Sequence, residues 1–130
     1  MRTIQIAALT LGLVLAASPA YAKRLPPKPV HPVRAKGVEF TVPHAMLMGL
    51  VVATDIKSGT VLWRRQIYTV RIDPAVEEDA QWSFITGIKT ENGCLIITNE
   101  SGCEYSLNLK TLQVHAIKGN VVVQWEPHDQ

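Results

Sequence analysis

A short strand-turn-strand unit occurs twice in this chain of 130 residues, and it limits the possible folds more than any other feature. Residues 53–61 (ATDIKSGTV) recur as residues 106–114 (SLNLKTLQV), at a shift of 53 residues. Repetition of one β-unit at a fixed spacing is typical of β-repeat proteins. The sequence therefore predicts an all-β architecture.

The two copies of this unit predict a structural role for their turn residues. Asp55 and Asn108 occupy equivalent places, where a short side-chain oxygen accepts amide hydrogens of the following turn. Gly59, however, corresponds to Leu112, and glycine is the residue that most easily adopts a positive φ. We therefore expect the second turn to differ in type from the first.

The first 22 residues have the pattern of a secretory signal peptide. Arg2 precedes an apolar run from Ile4 to Ala17, and Ala20 and Ala22 are the small residues that a signal peptidase requires. The run is shorter than the roughly 20 residues of a membrane span. The sequence thus predicts a periplasmic or secreted protein without a transmembrane segment in its mature form.

Residues 23–36 form a basic, proline-rich arm that we expect to be extended and disordered. Four prolines and five basic residues occur there without an acid, whereas residues 37–130 carry 7 Lys and Arg against 11 Asp and Glu. Such an arm could dock on anionic lipid headgroups, dock on an acidic protein groove, or act as a spacer. Nucleic acid is not expected, because the body lacks a basic face interleaved with aromatics. The basic residues are Lys23, Arg24, Lys28, Arg34 and Lys36.

The body, residues 37–130, alternates at period two and is predicted to be one domain with about seven antiparallel strands in meander order. Turn signals such as Asn92-Gly93 and Ser101-Gly102 separate the later strands, because a tight hairpin needs residues that tolerate positive φ. We expect the sheet to close as a small barrel or sandwich, or to associate with other chains through its edges. The predicted strands are 38–42, 50–54, 61–72, 82–89, 95–98, 104–107 and 114–117.

The segment 52–64 (VATDIKSGTVLWR) resembles the blade repeat of quinoprotein-type, pyrroloquinoline-quinone-like β-propellers. Residues 84–114 resemble one complete four-stranded blade of the same family. The resemblance implies about one blade plus three further strands. Propellers close with four to eight blades, so this chain is predicted to be an incomplete propeller-like unit without the family's quinone cofactor. No cofactor is expected.

Two groups of residues could carry metal chemistry. The acidic loop 73–79 holds four carboxylates, but Asp73 followed by Pro74 favours a capped turn over a calcium or acid-base site. His44, Met46 and Met48 lie two apart, so an extended segment would place them on one face. An imidazole with two thioethers suits Cu(I), whereas methionine also fills core gaps. A structural role for these three residues is therefore favoured, with Cu(I) binding as the alternative.

No catalytic motif is evident in the sequence, and an enzyme is not expected. The aromatic side chains are predicted to fill the core, with a sugar-stacking face as the alternative; they are Trp63, Trp82, Phe84 and Tyr105. Cys94 and Cys103 form an even pair in a predicted exported chain, which favours a disulfide. A regular hairpin with Thr98 opposite Cys103 would hold them about 14 Å apart. Because a disulfide allows only about 7 Å between Cα atoms, we favour the hairpin with free thiols.

These observations together predict a non-catalytic exported β-module that binds or scaffolds another component of the cell envelope. Its partner is expected to be an envelope protein or an anionic surface, with the basic arm as a tether. The alternative function is periplasmic Cu(I) binding through His44, Met46 and Met48.

Overall fold

The computed structural model describes residues 24–44 and 47–119, which form two four-stranded antiparallel sheets. Each sheet is an up-and-down meander whose strands follow one another in chain order, so the all-β prediction is confirmed. Neither sheet closes on itself among the described residues. Sheet 1 contains β1 (Val33–Ala35), β2 (Val38–Thr41), β3 (Leu50–Asp55) and β4 (Val61–Gln66); sheet 2 contains β5 (Ile85–Glu91), β6 (Cys94–Asn99), β7 (Glu104–Asn108) and β8 (Val114–Lys118).

All seven predicted strands are present, and two differences concern sheet 1. The first is β1, which lies inside the predicted arm, so residues 33–35 are strand and not unstructured chain. The second is β4, which ends at Gln66 although an apolar pattern continues to Ile72. The predicted signal peptide, residues 1–22, lies outside the described residues.

The repeated turns are alike in detail, and the expectation that they differ in type is wrong. The Asp55 carbonyl accepts the amide of Gly59 at 2.8 Å, and the Asn108 carbonyl accepts that of Leu112 at 2.7 Å. Gly59 and Leu112 both have positive φ, +72° and +60°. The Asp55 and Asn108 side chains cap the amides of Ser58 and Thr111, each at 3.1 Å.

Leu112 keeps this left-handed conformation although it carries a side chain. The Leu112 side chain packs against the hydrophobic core. A Cβ added at Gly59 would meet nothing within 4 Å, so a side chain there would gain no such contact. Complete burial of a leucine side chain is worth about 1.5–3 kcal/mol, so the partial burial of Leu112 offsets much of a backbone strain of about 1–2 kcal/mol.

The correspondence between the sheets extends to the hairpins that precede these turns. Lys36-Gly37 joins β1 to β2 and Asn92-Gly93 joins β5 to β6, both with two successive positive φ values. The Gly37 carbonyl accepts the amide of Ile56 at 3.0 Å, and the Gly93 carbonyl accepts that of Leu109 at 3.2 Å. Sheet 2 is therefore a second copy of sheet 1, in which Cys94 occupies the place of Val38.

The two sheets pack front to back: the side of sheet 1 that faces the core is equivalent to the side of sheet 2 that points away from it. Sheet 1 contributes Phe40 and Ala53 to the shared core, which in sheet 2 correspond to Ile96 and Ser106. Ile96 and Ser106 lie outside that core, and the alternate residues, such as Leu95 and Leu107, face it instead. Equivalent faces of the two sheets thus point in the same direction, as in a head-to-tail stack.

A connection of irregular chain, residues 67–84, leads from the outer strand of sheet 1 to the inner strand of sheet 2. Ile67 and Tyr68 are buried in the core, and the Tyr68 hydroxyl donates to the Ser83 carbonyl at 2.6 Å. The Tyr68 ring stacks on Tyr105 of sheet 2, with centroids 5.2 Å apart. The apolar pattern that predicted a longer β4 therefore reflects a buried connection between the sheets.

Candidate functional site

A cleft of about 740 Å³ opens between the two sheets, at the end where the hairpin turns lie. Lys36, Phe40 and Trp63 line it on the side of sheet 1. The opposite wall consists of the β5–β6 hairpin around Asn92 and the β7–β8 turn around Lys110. Because Lys36 and Lys110 come from equivalent ends of the two sheets, the front-to-back packing brings them to one opening. The volume lies in the range of small-molecule binding sites, about 300–1,000 Å³.

The inner wall of the cleft is aromatic. Phe40 is buried, whereas Trp63 is only half-buried, and their ring centroids are 5.9 Å apart at an interplanar angle of 42°. Trp63 belongs to β4, where it pairs with Ala53 and shares the core-facing side of sheet 1. The indole therefore packs on Phe40 and still contributes surface to the cleft.

The mouth of the cleft carries positive charge on both sides. Lys36 and Lys110 are exposed, and neither side chain forms an ion pair among the described residues. Glu91 also lines the cleft, but its carboxylate lies 3.8 Å from the Lys89 ammonium. The two lysines are thus the cations available to a ligand at this opening.

The basic arm is held against the body at its first described residue. The Arg24 guanidinium pairs with Glu100, donates to the Trp82 carbonyl at 2.7 Å and lies 5.3 Å from the Phe84 ring centroid. The Arg24 amide also donates to the Asp79 carboxylate at 3.3 Å. Arg24 therefore fastens the arm to sheet 2.

The other basic residues of the arm have different surroundings. The Arg34 side chain, on β1, pairs with Glu39 of β2 at 2.8 Å. Lys28 is exposed beside a groove formed by the arm and the start of β5, and Lys36 lines the cleft. Lys23 lies outside the described residues. The predicted partner-binding arm therefore begins with a residue fixed to sheet 2, Arg24, and ends in strand β1 and its hairpin turn.

Of the three predicted copper ligands, the structure describes His44 and Met48. The Met48 thioether accepts the amide hydrogen of Ser83 at 3.2 Å, and the side chain packs against the core. His44 is exposed, and Met46 lies outside the described residues. Among residues 24–44 and 47–119, no group of three or more His, Cys, Asp or Glu side chains could hold a metal ion.

The acidic loop is a capped turn, as predicted. The Asp73 carboxylate accepts the amide of Ala75 at 2.9 Å, and a 3-10 helix follows at Asp79–Gln81. Gln81 closes the loop, because its side chain accepts the Asp73 amide at 2.7 Å and donates to carbonyls including that of Val76 at 3.1 Å. A glutamine in this position gives no recognisable signal in the sequence.

Cys94 and Cys103 are free thiols on opposite sides of the predicted hairpin, which confirms the preference for the hairpin over a disulfide. The register is one residue away from the predicted one. Asn99 faces Cys103 through its amide, which donates to the Cys103 carbonyl at 3.1 Å, while Thr98 pairs with Glu104. The Asn99 side chain explains this shift, because it caps the Ser101 and Cys103 amides and tightens the turn.

The part of the chain that the structure describes contains no helix of the length and hydrophobicity that a membrane span requires. Comparison with protein-family models gives no match, and comparison with curated proteins gives none either.

Proposed function

We propose that this chain is a non-catalytic, exported binding module and that the cleft between its sheets is the surface that recognises another component of the cell envelope. One observation carries the proposal: a half-buried tryptophan, Trp63, lies between two walls whose exposed lysines, Lys36 and Lys110, come from different sheets. A concave site with an aromatic wall and a few polar groups at its mouth is the usual form of a binding site.

Binding is a better interpretation than catalysis because of the side chains at the cleft. Its titratable side chains are those of Lys36, Glu91, Cys94 and Lys110. Glu91 is directed at Lys89, and this set contains no histidine that could act as a general base. Because no histidine in this set could activate the Cys94 thiol, the lining favours a ligand that is held over one that is transformed.

Export is supported by the sequence of residues 1–22, whose apolar run and small residues at positions 20 and 22 have the signal-peptide pattern. An exported module would meet envelope polymers and envelope proteins in the periplasm or outside the cell.

We also infer that the two sheets are propeller-type blades. Three features support this origin: each sheet is a four-stranded meander, the sheets stack front to back, and β1 lies beside β5 as inner strands do around an axis. Two blades are too few to close a ring of four to eight, so the quinone chemistry of the complete family is not part of the proposal.

The test is retention of envelope material by the immobilised chain. Trp63→Ala removes the aromatic wall of the cleft, and Leu62→Ala is its matched control, because Leu62 is the neighbouring residue and is 50% exposed outside the cleft. We expect the wild type and Leu62→Ala to retain the same component and Trp63→Ala to lose it.

A second variant keeps the test informative if Trp63→Ala does not fold. Thr90 is exposed and lines the cleft, so Thr90→Met narrows the site without adding charge or disturbing the core. Retention that is unchanged in both folded variants would contradict the cleft as the binding surface.

A further inference from the structure

The Lys36 backbone is unusual for its residue type. Lys36 has φ of +50°, and the equivalent residue of sheet 2 is Asn92 with φ of +49°. Asparagine is several-fold enriched in this left-handed region, whereas lysine gains nothing there from its side chain. Among the described residues the Lys36 ammonium makes no hydrogen bond or ion pair that would offset this cost.

Lys110 shows a related departure between the two copies. Its counterpart in sheet 1 is Lys57, at the same place of the equivalent turn, but Lys57 lies away from the cleft and Lys110 lines it. The head-to-tail stacking therefore places one of the two equivalent lysines opposite Lys36. Two cations on facing walls of one opening favour a ligand with negative charges on both sides.

The lining between these lysines indicates the rest of the ligand. Trp63 offers a flat apolar surface, while Asn92 and Thr90 are exposed polar side chains at the rim. A ligand with a flat C–H face and many hydroxyl groups matches both properties, since an indole packs against the apolar face and the amide and hydroxyl groups bind the hydroxyls.

An acidic peptide fits this opening less well. Extended peptides recognise sheets by pairing with a free strand edge. The inner edge strands β1 and β5 lie beside each other, and β4, the outer edge strand of sheet 1, contributes only the Trp63 side chain to the lining of the cleft.

We propose that the cleft binds an acidic carbohydrate chain, with a sugar ring stacked on Trp63 and carboxylates held by Lys36 and Lys110. This inference rests on the proposed function and names the class of its ligand. The lysine ammonium groups donate charge-assisted hydrogen bonds to the carboxylates, so binding weakens as ionic strength rises.

The experiment is calorimetric titration of the full chain with trigalacturonate and, in parallel, with its methyl ester, which has the same rings without the charges. We expect the acid to bind and the ester to bind at least tenfold more weakly. In NMR spectra of the folded chain, the Trp63 indole N–H resonance should shift during titration with the acid. Equal binding of acid and ester would overturn the proposal.

The lysine variants have matched partners inside the chain. Lys36→Asn installs the residue that the equivalent turn already contains, and Lys110→Gln is compared with Lys57→Gln at the corresponding position of the other turn. We expect the first two variants to weaken trigalacturonate binding at least fivefold and Lys57→Gln to leave it unchanged. An equal effect of Lys57→Gln and Lys110→Gln would show nonspecific attraction and contradict the proposal.

Three further outcomes distinguish failure of this inference from failure of the proposed function. If hexaglutamate binds with the same lysine dependence and trigalacturonate does not, the sugar class is wrong and the cleft remains the binding site. If trigalacturonate fails to bind while Trp63→Ala still abolishes retention of envelope material, the inference fails alone. If trigalacturonate fails to bind and Trp63→Ala and Thr90→Met also leave the retention of envelope material unchanged, both proposals fail.

Discussion

The Arg65 guanidinium joins the two sheets, because its Nε donates to the Leu112 carbonyl at 3.0 Å across the interface. Arg65 is 3% exposed, and its Nη1 also donates to the Gln66 carbonyl at 2.6 Å. Burial lowers the pKa of this guanidinium from its ordinary value. Arg65 of β4 is thus hydrogen-bonded to the turn between β7 and β8, through the carbonyl of the residue that has the left-handed conformation, Leu112.

Replacement of this buried fork is expected to destabilise the fold. Arg65→Lys keeps the charge but has one nitrogen in place of a planar fork, so it cannot reproduce both carbonyl contacts. We expect a loss of about 1–3 kcal/mol in the free energy of unfolding, measured with urea. Arg64→Lys on the same strand is the control, since Arg64 is exposed, and it should change stability by less than about 0.5 kcal/mol. Equal effects of the two substitutions would contradict the role of Arg65.

The two positive-φ positions predict a matched series of variants. Leu112→Ala and Leu112→Gly both remove the core contact, but only glycine relieves the backbone strain, so the glycine variant should be more stable by about 1 kcal/mol. Gly59→Ala should cost a similar amount, because the space around this position is open and strain is the remaining cost. Both comparisons require urea unfolding at one temperature. An alanine variant at position 112 as stable as the glycine variant would refute the strain argument.

Much of sheet architecture was predictable because its signals are local. Seven strands follow from period-two alternation, and the turn at Asn92-Gly93 follows from residues that tolerate positive φ. The strand β1 was missed because Lys36, which begins its hairpin turn, is not a residue type that indicates such a turn. The prediction that the turn at Leu112 differs in type was wrong for a related reason. Packing of the Leu112 side chain against the core, and not the local preference of leucine, stabilises its positive φ.

The cleft, by contrast, has no signal within any one segment. Lys36, Trp63 and Lys110 are far apart in the chain, and they share an opening only because the sheets stack front to back. Alternation shows that each strand has an apolar side, but it does not show which side of the second sheet meets the first. That choice depends on Leu95 and Leu107 facing the core in place of Ile96 and Ser106.

The Arg24 contacts predict that the arm contributes to stability. We expect a double-mutant cycle of Arg24→Gln and Glu100→Gln to give a coupling free energy of about 0.5–1 kcal/mol, since both side chains are partly exposed. Screening should reduce this coupling at 1 M NaCl. Additive effects of the two substitutions at low salt would show that Arg24 does not fasten the arm through Glu100.

The stacked tyrosines predict loss of stability at alkaline pH. Burial is the main cause that raises the pKa of Tyr105 to about 12, and burial also raises the pKa of Tyr68 above its ordinary value of 10.0. The folded state therefore holds these protons more tightly than the unfolded state. Their contribution is fully present below about pH 10 and is lost as the pH rises towards 12. Between pH 8.5 and 11.5, the urea midpoint of unfolding should fall less steeply with pH in Tyr105→Phe than in the wild type. Equal slopes in the two proteins would contradict the role given to the Tyr105 hydroxyl.

The side of sheet 2 that points away from the shared core is largely polar, and it predicts a monomer that can be converted into a head-to-tail assembly. This side carries Glu104, Ser106 and His115 at the places where sheet 1 has Val51 and Ala53 in the core and Trp63 packed against it. A head-to-tail contact between two different surfaces can add further copies of the chain without limit. Polar residues on the outermost surface prevent this addition, as they do in the terminal repeats of repeat proteins. We therefore expect the wild type to sediment as a monomer at about 100 μM, a concentration at which weak association is visible.

Copying these apolar residues of sheet 1 onto the equivalent positions of sheet 2 should remove this barrier. The variant Glu104→Val, Ser106→Ala, His115→Trp is expected to form concentration-dependent oligomers in sedimentation experiments. Thr54→Lys, on the side of sheet 1 that points away from the shared core, should reverse the association, because the proposed contact would then bury an unpaired charge. Glu77→Val with Gln113→Trp places similar apolar groups at exposed sites elsewhere and should leave the chain monomeric. Oligomers that persist in the presence of Thr54→Lys would show nonspecific association and would contradict the head-to-tail relationship between the faces.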